Sequence, residues 1–238
     1  ELYLPLENAG QVNFGPWTEE CQPNVDALKS VKSPKDVFFP QSENLYTCQK
    51  EGKNIKIDPE KLKDQDFVVF GMKSCDVKGV EVLDKVFLAD PIDTYYAARR
   101  DHGIIVAMAC HEPEESCFCK VFGIDAADPS SSIADVATWM IGEDLYWKPL
   151  TAKGEALTAE LSSVLTADGD DAKVEEEKQA ITAIINKLPY SDLSLEGWDG
   201  EHFEEKFNAT NWEELYKPCL ACGTCTFVCP TCQCYDIK

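Results

Sequence analysis

The sequence predicts a mixed α/β chain, α+β-like in its later part, on three observations. Two short, unbroken apolar runs, "DFVVFGM" at 66–72 and "IIVAMA" at 104–109, have the pattern of strands buried on both faces. Between them Val77, Val80, Leu83, Val86 and Phe87 recur at helical spacing. After residue 152 the chain turns rich in lysine and glutamate with a helical pattern, and it closes on a dense run of cysteines. The expected architecture is an N-terminal domain over 1–152 with a partly parallel sheet and flanking helices. An acidic helical segment follows at 153–217, then a cysteine-rich unit at 218–238.

The elements follow in order. "ELYLPLENAGQVNFGPW" alternates apolar and polar residues around Asn8 to Gly10 and predicts a β-hairpin. "PKDVFFP" at 34–40 is fenced by prolines and is expected to be extended. The first buried strand leads into a helix over 76–88, for which Asp76 is the expected N-cap. "TYYAARRD" predicts a second short helix before the second buried strand. A strand, a helix and a strand in this order imply a parallel pair joined by a right-handed crossover. "DVATWMIGEDLYWKPLT" at 135–151 predicts a hairpin turning at Gly142 to Asp144. Ile181, Ile184, Ile185 and Leu188 mark one face of a helix that Pro189 ends. "ADGDDAK" is an expected exposed turn, and "FEEKFNATNWEELYK" reads as one or two helices running into the cysteines.

Hydrophobic residues are 44% of the 238, enough for a real core. Lysine and arginine total 22 against 43 acids, a formal charge of −21. Such a surface repels nucleic acid and anionic lipid, which excludes both as partners and leaves solubility, or the steering of a basic partner, as its role. The longest apolar run, at 103–110, is far short of a membrane span, and no signal peptide is visible. Neither a G-x-G-x-x-G nor a P-loop occurs, so no nucleotide or flavin signature is present. The three histidines are scattered, and His111 beside Cys110 is expected in a solvent-facing loop.

Twelve cysteines in a chain of this length fall into two tight groups plus Cys21 and Cys48, which are expected to be small core residues. Tight groups suit metal binding in a reducing, cytoplasmic compartment. Cys219, Cys222, Cys225 and Cys229-Pro230 form C-x2-C-x2-C-x3-C-P, the bacterial ferredoxin run. Thiolates two residues apart let a tight loop wrap an iron–sulfur cube. Gly223, Ala221 and Thr224 are small enough to let backbone N–H groups approach the sulfurs. A structural zinc site is the alternative, but zinc knots pair C-x2–4-C with a distant second pair. The fourth cysteine of a two-cluster ferredoxin serves the other cluster, whose run lies downstream. Here Cys229 either does so in a chain cut short after Lys238, the expected case, or completes the first cube, to which Cys232 and Cys234 are further candidates.

In the second group Cys75 follows the first buried strand and Cys110 ends the second. Parallel neighbours would bring both thiols to the carboxyl edge of the sheet, where open α/β sheets bind ligands. "CHEPEESCFC" adds Cys117 and Cys119 from the next loop. Four thiols can converge there, beside a helix N-terminus that favours thiolate. Unrelated buried or free cysteines are the alternative. Arg99 and Arg100, the chain's two arginines, stand just before the second strand and are the expected counter-charge of a four-thiolate cluster.

"FGMKSCDVKGVEVLDKVFL", "DTYYAARRD", "CFC", "CGTCTFVCPTCQCYDI" and "VFFPQSENLY" occur together and in order. In these motifs the chain resembles the iron–sulfur β subunit of cytoplasmic sulfhydrogenases and the A subunit of anaerobic sulfite reductases, least so over 153–217. The resemblance implies an electron-transfer subunit with two cubane [4Fe–4S] clusters in a ferredoxin-like C-terminal domain. Cys75, Cys110, Cys117 and Cys119 match its N-terminal motifs. It also implies partners: a flavin- and NAD(P)-binding subunit on one side, a catalytic or further iron–sulfur subunit on the other. The expected function is an electron relay, because clusters fully ligated by cysteine have no open site for a substrate. Two alternatives stay open. One is a catalytic subunit that reduces a sulfur compound at an unusual cluster or thiolate around Cys110, Cys117 and Cys119. The other is a zinc-stabilised adaptor.

Overall fold

The computed structural model describes residues 1–27 and 29–233. A six-stranded sheet in the order β2-β1-β5-β6-β7-β8 forms its centre. The strands are β1 (Leu2–Asn8), β2 (Gln11–Pro16), β5 (Phe67–Met72), β6 (Gly103–Met108), β7 (Val136–Ile141) and β8 (Asp144–Pro149). The four inner strands β1, β5, β6 and β7 run parallel. At each edge a hairpin folds back antiparallel, β1 to β2 and β7 to β8. The fold is therefore mixed α/β, as the buried runs and the two hairpin patterns predict. A separate exposed hairpin, β3 (Tyr46–Glu51) with β4 (Asn54–Pro59), has no counterpart in the sequence reading. Its outward Tyr46, Ile55 and Ile57 are exposed, so no burial pattern announces it.

The crossover between β5 and β6 is made by α1 (Ser74–Phe87) and α2 (Thr94–His102). The main core lies between these helices and the sheet. Phe67, Val69, Met72, Ile105 and Ala107 from the strands meet Val77, Val80, Leu83, Phe87 and Tyr96 from the helices, with Phe38 closing one end. Val86, expected on the core face, is 43% exposed. Burial on the opposite face is less complete. Val68 and Ile104 are half-buried and line a cleft of about 310 Å³ with Lys153, Ala156 and Leu157. Those three belong to α3 (Ala152–Glu160), so the later segment packs onto the sheet.

Helix α4 (Asp171–Ile185) is placed partly by charge. Lys178 Nζ lies 2.7 Å from Asp128 Oδ2 and over the Trp139 ring at 5.0 Å. Burial would raise the Asp128 carboxyl, but hydrogen bonds from Lys178 and Ser130 outweigh it and hold the group below its ordinary value. Ile181 and Ile185 are buried against Ala126 and Ala127, with Leu188 beside them, whereas Ile184 is 44% exposed. The helix closes at Ile185, ahead of Pro189. Short helices α5 (Phe203–Phe207), α6 (Trp212–Leu215) and α7 (Thr224–Val228) carry the chain through the C-terminal cysteines.

Three local expectations are corrected. Pro34–Val37 is a 3-10 helix, not extended chain. Ser33 accepts from the Lys35 N–H and Pro34 occupies the first helical position, a start signal that the flanking prolines obscure. Helix α1 begins at Ser74, so Lys73 rather than Asp76 is its N-cap residue, and no side chain caps it. Cys48 is exposed and Cys21 is half-buried, so neither is a core residue.

Candidate functional site

The end of β5 is shaped by a backbone irregularity. The register with β6 shifts between Phe70 and Met72, and Gly71 there has φ +90°. Only glycine adopts this conformation cheaply, and the bulge re-aims the chain leaving the strand. Lys73, Ser74 and Cys75 follow directly, with Cys75 in the first turn of α1. Cys110 leaves the carboxyl end of the neighbouring strand, and its N–H donates to Ala126 O at 2.8 Å. Cys117 N–H donates to Glu114 O, and Cys119 opens a 3-10 turn that closes at Gly123 with φ +67°. Cys110 and Cys119 pack against the small core that α4 covers.

The four cysteines of this sheet-edge group act on one another electrostatically. Cys75 is exposed at the surface, yet the packed atoms around its sulfur, and then Asp76, Cys110 and Cys119, push its thiol up. Burial also pushes Cys110 up, to about 11; Lys73 opposes this, and Cys119 and Cys117 add to it. Cys119 is raised by burial and by Cys117. The helix N-terminus therefore does not hold Cys75 as a free thiolate, contrary to expectation, because crowding and like charge outweigh the dipole. Metal binding reverses this balance, since a coordinating thiol is deprotonated outright.

The two arginines are spent elsewhere. Arg100 donates to both oxygens of Asp84, at 2.8 and 2.9 Å, and lies 5.3 Å from the centre of the Phe38 ring. Arg99 pairs with Glu43 and donates to Phe38 O at 2.6 Å. Lys73 stands where an arginine was expected. It is 6% exposed, and its Nζ lies 3.5 Å from Ala109 O, at the peptide that leads into Cys110.

In the C-terminal run the backbone already turns toward its sulfurs. Ala221 and Gly223 have φ +53° and +76°, and the Ala221 N–H donates to Cys219 Sγ at 3.4 Å. Cys222 Sγ lies 3.3 Å from Thr224 Oγ1, and hydrogen bonds from that residue hold the thiol below its ordinary value. Cys229 Sγ lies 3.4 Å from Thr231 Oγ1. Cys219, Cys222 and Cys225 are exposed, while Cys229 and Cys232 are half-buried. Cys234 lies outside the described residues. Among the described residues, no three Cys, His, Asp or Glu side chains close around a single metal-ion position.

The run is docked on the N-terminal part of the chain. Lys35, 3% exposed, donates to Cys229 O at 2.5 Å and to Cys232 O at 2.8 Å. Lys32 Nζ lies 5.1 Å from the centre of the Phe227 ring, and Gln41 donates to Phe227 O at 3.5 Å. Gly79 of α1 allows the closest approach: a Cβ there would sit 2.9 Å from Pro230 Cβ. Gly79 is one helical turn, about 5.4 Å of rise, beyond Cys75. The structure thus brings the C-terminal run to the helix that begins at the sheet-edge group. Lys35, Lys73 and Gly79 were not singled out from the sequence. A Ser-Pro-x-Asp helix start marks the neighbourhood of Lys35, but nothing in the spacing reports the burial of either lysine.

Cys75, Cys110 and Cys119 lie near enough at the sheet edge to perturb one another, with Lys73 beside them, and N–H and hydroxyl groups stand at sulfurs in the C-terminal loop. Thiolates are soft donors of the kind that select iron–sulfur clusters or zinc. Among the described residues, no helix is long and apolar enough to cross a membrane. No protein-family model matches the chain, and no solved structure matches it. The β subunit of sulfhydrogenase 2 from Pyrococcus furiosus is 30% identical to it over 251 aligned residues, which take in 99% of this chain and 67% of that protein. With that identity held across nearly its whole length, the chain belongs to the sulfhydrogenase β-subunit family.

Proposed function

We propose that the chain is an electron-transfer subunit of a multisubunit oxidoreductase complex. It relays electrons through [4Fe–4S] clusters between a flavin- and NAD(P)-binding subunit and a catalytic or iron–sulfur subunit, in the cytoplasm of an anaerobe. Cys219, Cys222, Cys225 and Cys229 hold cluster iron in a ferredoxin-like unit over 218–238. Cys75, Cys110, Cys117 and Cys119 hold a further cluster in the domain over 1–152, and 153–217 links the two. The bound clusters supply one-electron transfer. The chain's own residues position them and donate hydrogen bonds to their sulfurs.

One observation carries this reading: Pro230, directly after the last ferredoxin-type cysteine, packs on α1 one turn from Cys75. Two sulfur-rich sites on a shared helix suit a wire more than two unrelated metal knots. The family supports it too, since the Pyrococcus relative is itself named as a subunit. A catalytic role would need an open coordination position, and four cysteines per cube leave none.

The relay makes a direct expectation. Anaerobically prepared protein should take up electrons from a low-potential reductant, with bleaching of its brown colour. It should then pass them to a redox dye and return to its starting spectrum, consuming no sulfur compound. A colourless, zinc-loaded protein would support the adaptor instead. Steady reduction of a sulfur compound by the isolated chain would support the catalytic role.

A further inference from the structure

Lys35 and Lys73 are buried, each against one of the two cysteine groups, and among the described residues neither has a carboxylate partner. Lysine is almost never fully buried unless its charge is paired. Acids outnumber bases 43 to 22, so partners abound on this chain. Yet among the described residues no carboxylate oxygen comes within 4.0 Å of Lys35 Nζ or Lys73 Nζ. Among the described residues Lys35 Nζ donates to the carbonyls of Cys229 and Cys232, and Lys73 Nζ to that of Ala109. Carbonyls satisfy an ammonium's hydrogen bonds but leave its charge uncompensated. Burial disfavours the Lys73 ammonium and holds it below its ordinary value, opposed by Cys110 and Cys75 and then by Asp26 and Asp76.

We propose that Lys73 and Lys35 are built-in counter-charges for two anionic clusters, Lys73 at the sheet-edge group and Lys35 at the C-terminal run. Each acts as a positioning residue that raises the reduction potential of the cluster beside it. The inference rests on the cluster reading above. A cube held by thiolates is anionic, and one-electron reduction adds a further negative charge. A fixed cation in a water-poor setting stabilises the reduced form more than the oxidised one. Lys35 has a second task in the same geometry. Its two hydrogen bonds fasten the backbone on either side of Pro230, holding the C-terminal run on α1.

The test is a redox titration of the anaerobic protein, followed by low-temperature spin resonance, with iron measured in every sample. Lys73→Gln is expected to lower the potential of the sheet-edge cluster alone, and Lys35→Gln that of the C-terminal cluster alone. Each should make reduction at least tenfold less favourable, about 59 mV for a one-electron couple. Glutamine keeps a hydrogen-bond donor and removes the charge. Lys73→Arg and Lys35→Arg keep the charge and should stay near the wild-type potential. Full iron with unchanged potentials in the glutamine variants would overturn the proposal, as would an equal shift of both clusters in either one. Should a glutamine variant shed the iron of its own site, its arginine counterpart decides. Iron retained at a wild-type potential supports the counter-charge; iron lost there too means a packing role and overturns it. Wild-type protein without cluster iron would instead defeat the cluster reading itself, and the counter-charges with it.

Discussion

Cys225→Ala is expected to remove the iron of the C-terminal site, about four atoms per chain, and to leave the sheet-edge iron in place. Cys110→Ala should do the converse. The asymmetry follows from how each site is built. Cys225 lies exposed in the first turn of α7, after a loop whose sulfurs meet the Ala221 N–H and the Thr224 hydroxyl rather than the sheet. Cys110 is anchored between β6 and the loop back to Ala126, and it packs beside Ile181 and Ile185. Alanine fits both positions sterically, so the loss should be of a ligand and not of the fold. Iron, acid-labile sulfide and far-ultraviolet circular dichroism, measured on the same samples, read the outcome. Loss of all iron in both variants would mean one shared site; no loss in either would mean that these cysteines hold none.

Asp135→Ala is expected to destabilise the protein by about 3 kcal/mol, enough to lower Tm by roughly 6–12 °C. Asp135 is 8% exposed and joins three elements. Its Oδ2 accepts from the Ile105 N–H of β6 at 2.8 Å, and its Oδ1 accepts from Thr151 Oγ1 at 2.6 Å. Thr151 caps α3, accepting from the Gly154 N–H at 3.2 Å. Gly154 approaches so closely that a Cβ there would sit 2.0 Å from Asp135 O. Alanine at 135 leaves the buried Ile105 N–H without its acceptor, at about 1–3 kcal/mol, and frees the hydroxyl of the exposed Thr151 at a smaller cost. Asparagine should cost less, because its carbonyl can replace one of the two acceptors. Denaturant unfolding of the three proteins is the check. A cost under about 1 kcal/mol for alanine would show that water reaches the junction and replaces the carboxylate.

Much of this was legible in the sequence because apolar periodicity and buried structure coincide there. "DFVVFGM" and "IIVAMA" become adjacent parallel strands, and Val77, Val80 and Leu83 form the inner face of the crossover helix. The hairpin pivoting on Gly142 to Asp144 is visible for the same reason. The C-terminal cysteines stand out by spacing, since C-x2-C-x2-C-x3-C-P has few other uses. The charged partners were not. Arg99 and Arg100 are conspicuous as the chain's two guanidinium groups, yet Glu43 and Asp84 claim them from distant parts of the chain. Lys35 and Lys73 look like any surface lysine. Their burial depends on a 3-10 turn and a strand bulge, whose local signals, Ser33-Pro34 and Gly71, do not report which side chains are turned inward. The docking of Pro230 on Gly79 is likewise a contact between segments about 150 residues apart, and neither hydrophobic period nor turn chemistry reports such pairs.

The most direct test of the electron wire is to count its metal. Protein prepared without oxygen would be analysed for iron and acid-labile sulfide, and its reduced form examined by spin resonance at low temperature. Expected are near-equal iron and sulfide, roughly eight of each per chain for two cubes, and two signals that broaden one another because their sites share α1. Zinc in place of iron, or iron without sulfide, would contradict the claim that these thiols carry clusters at all.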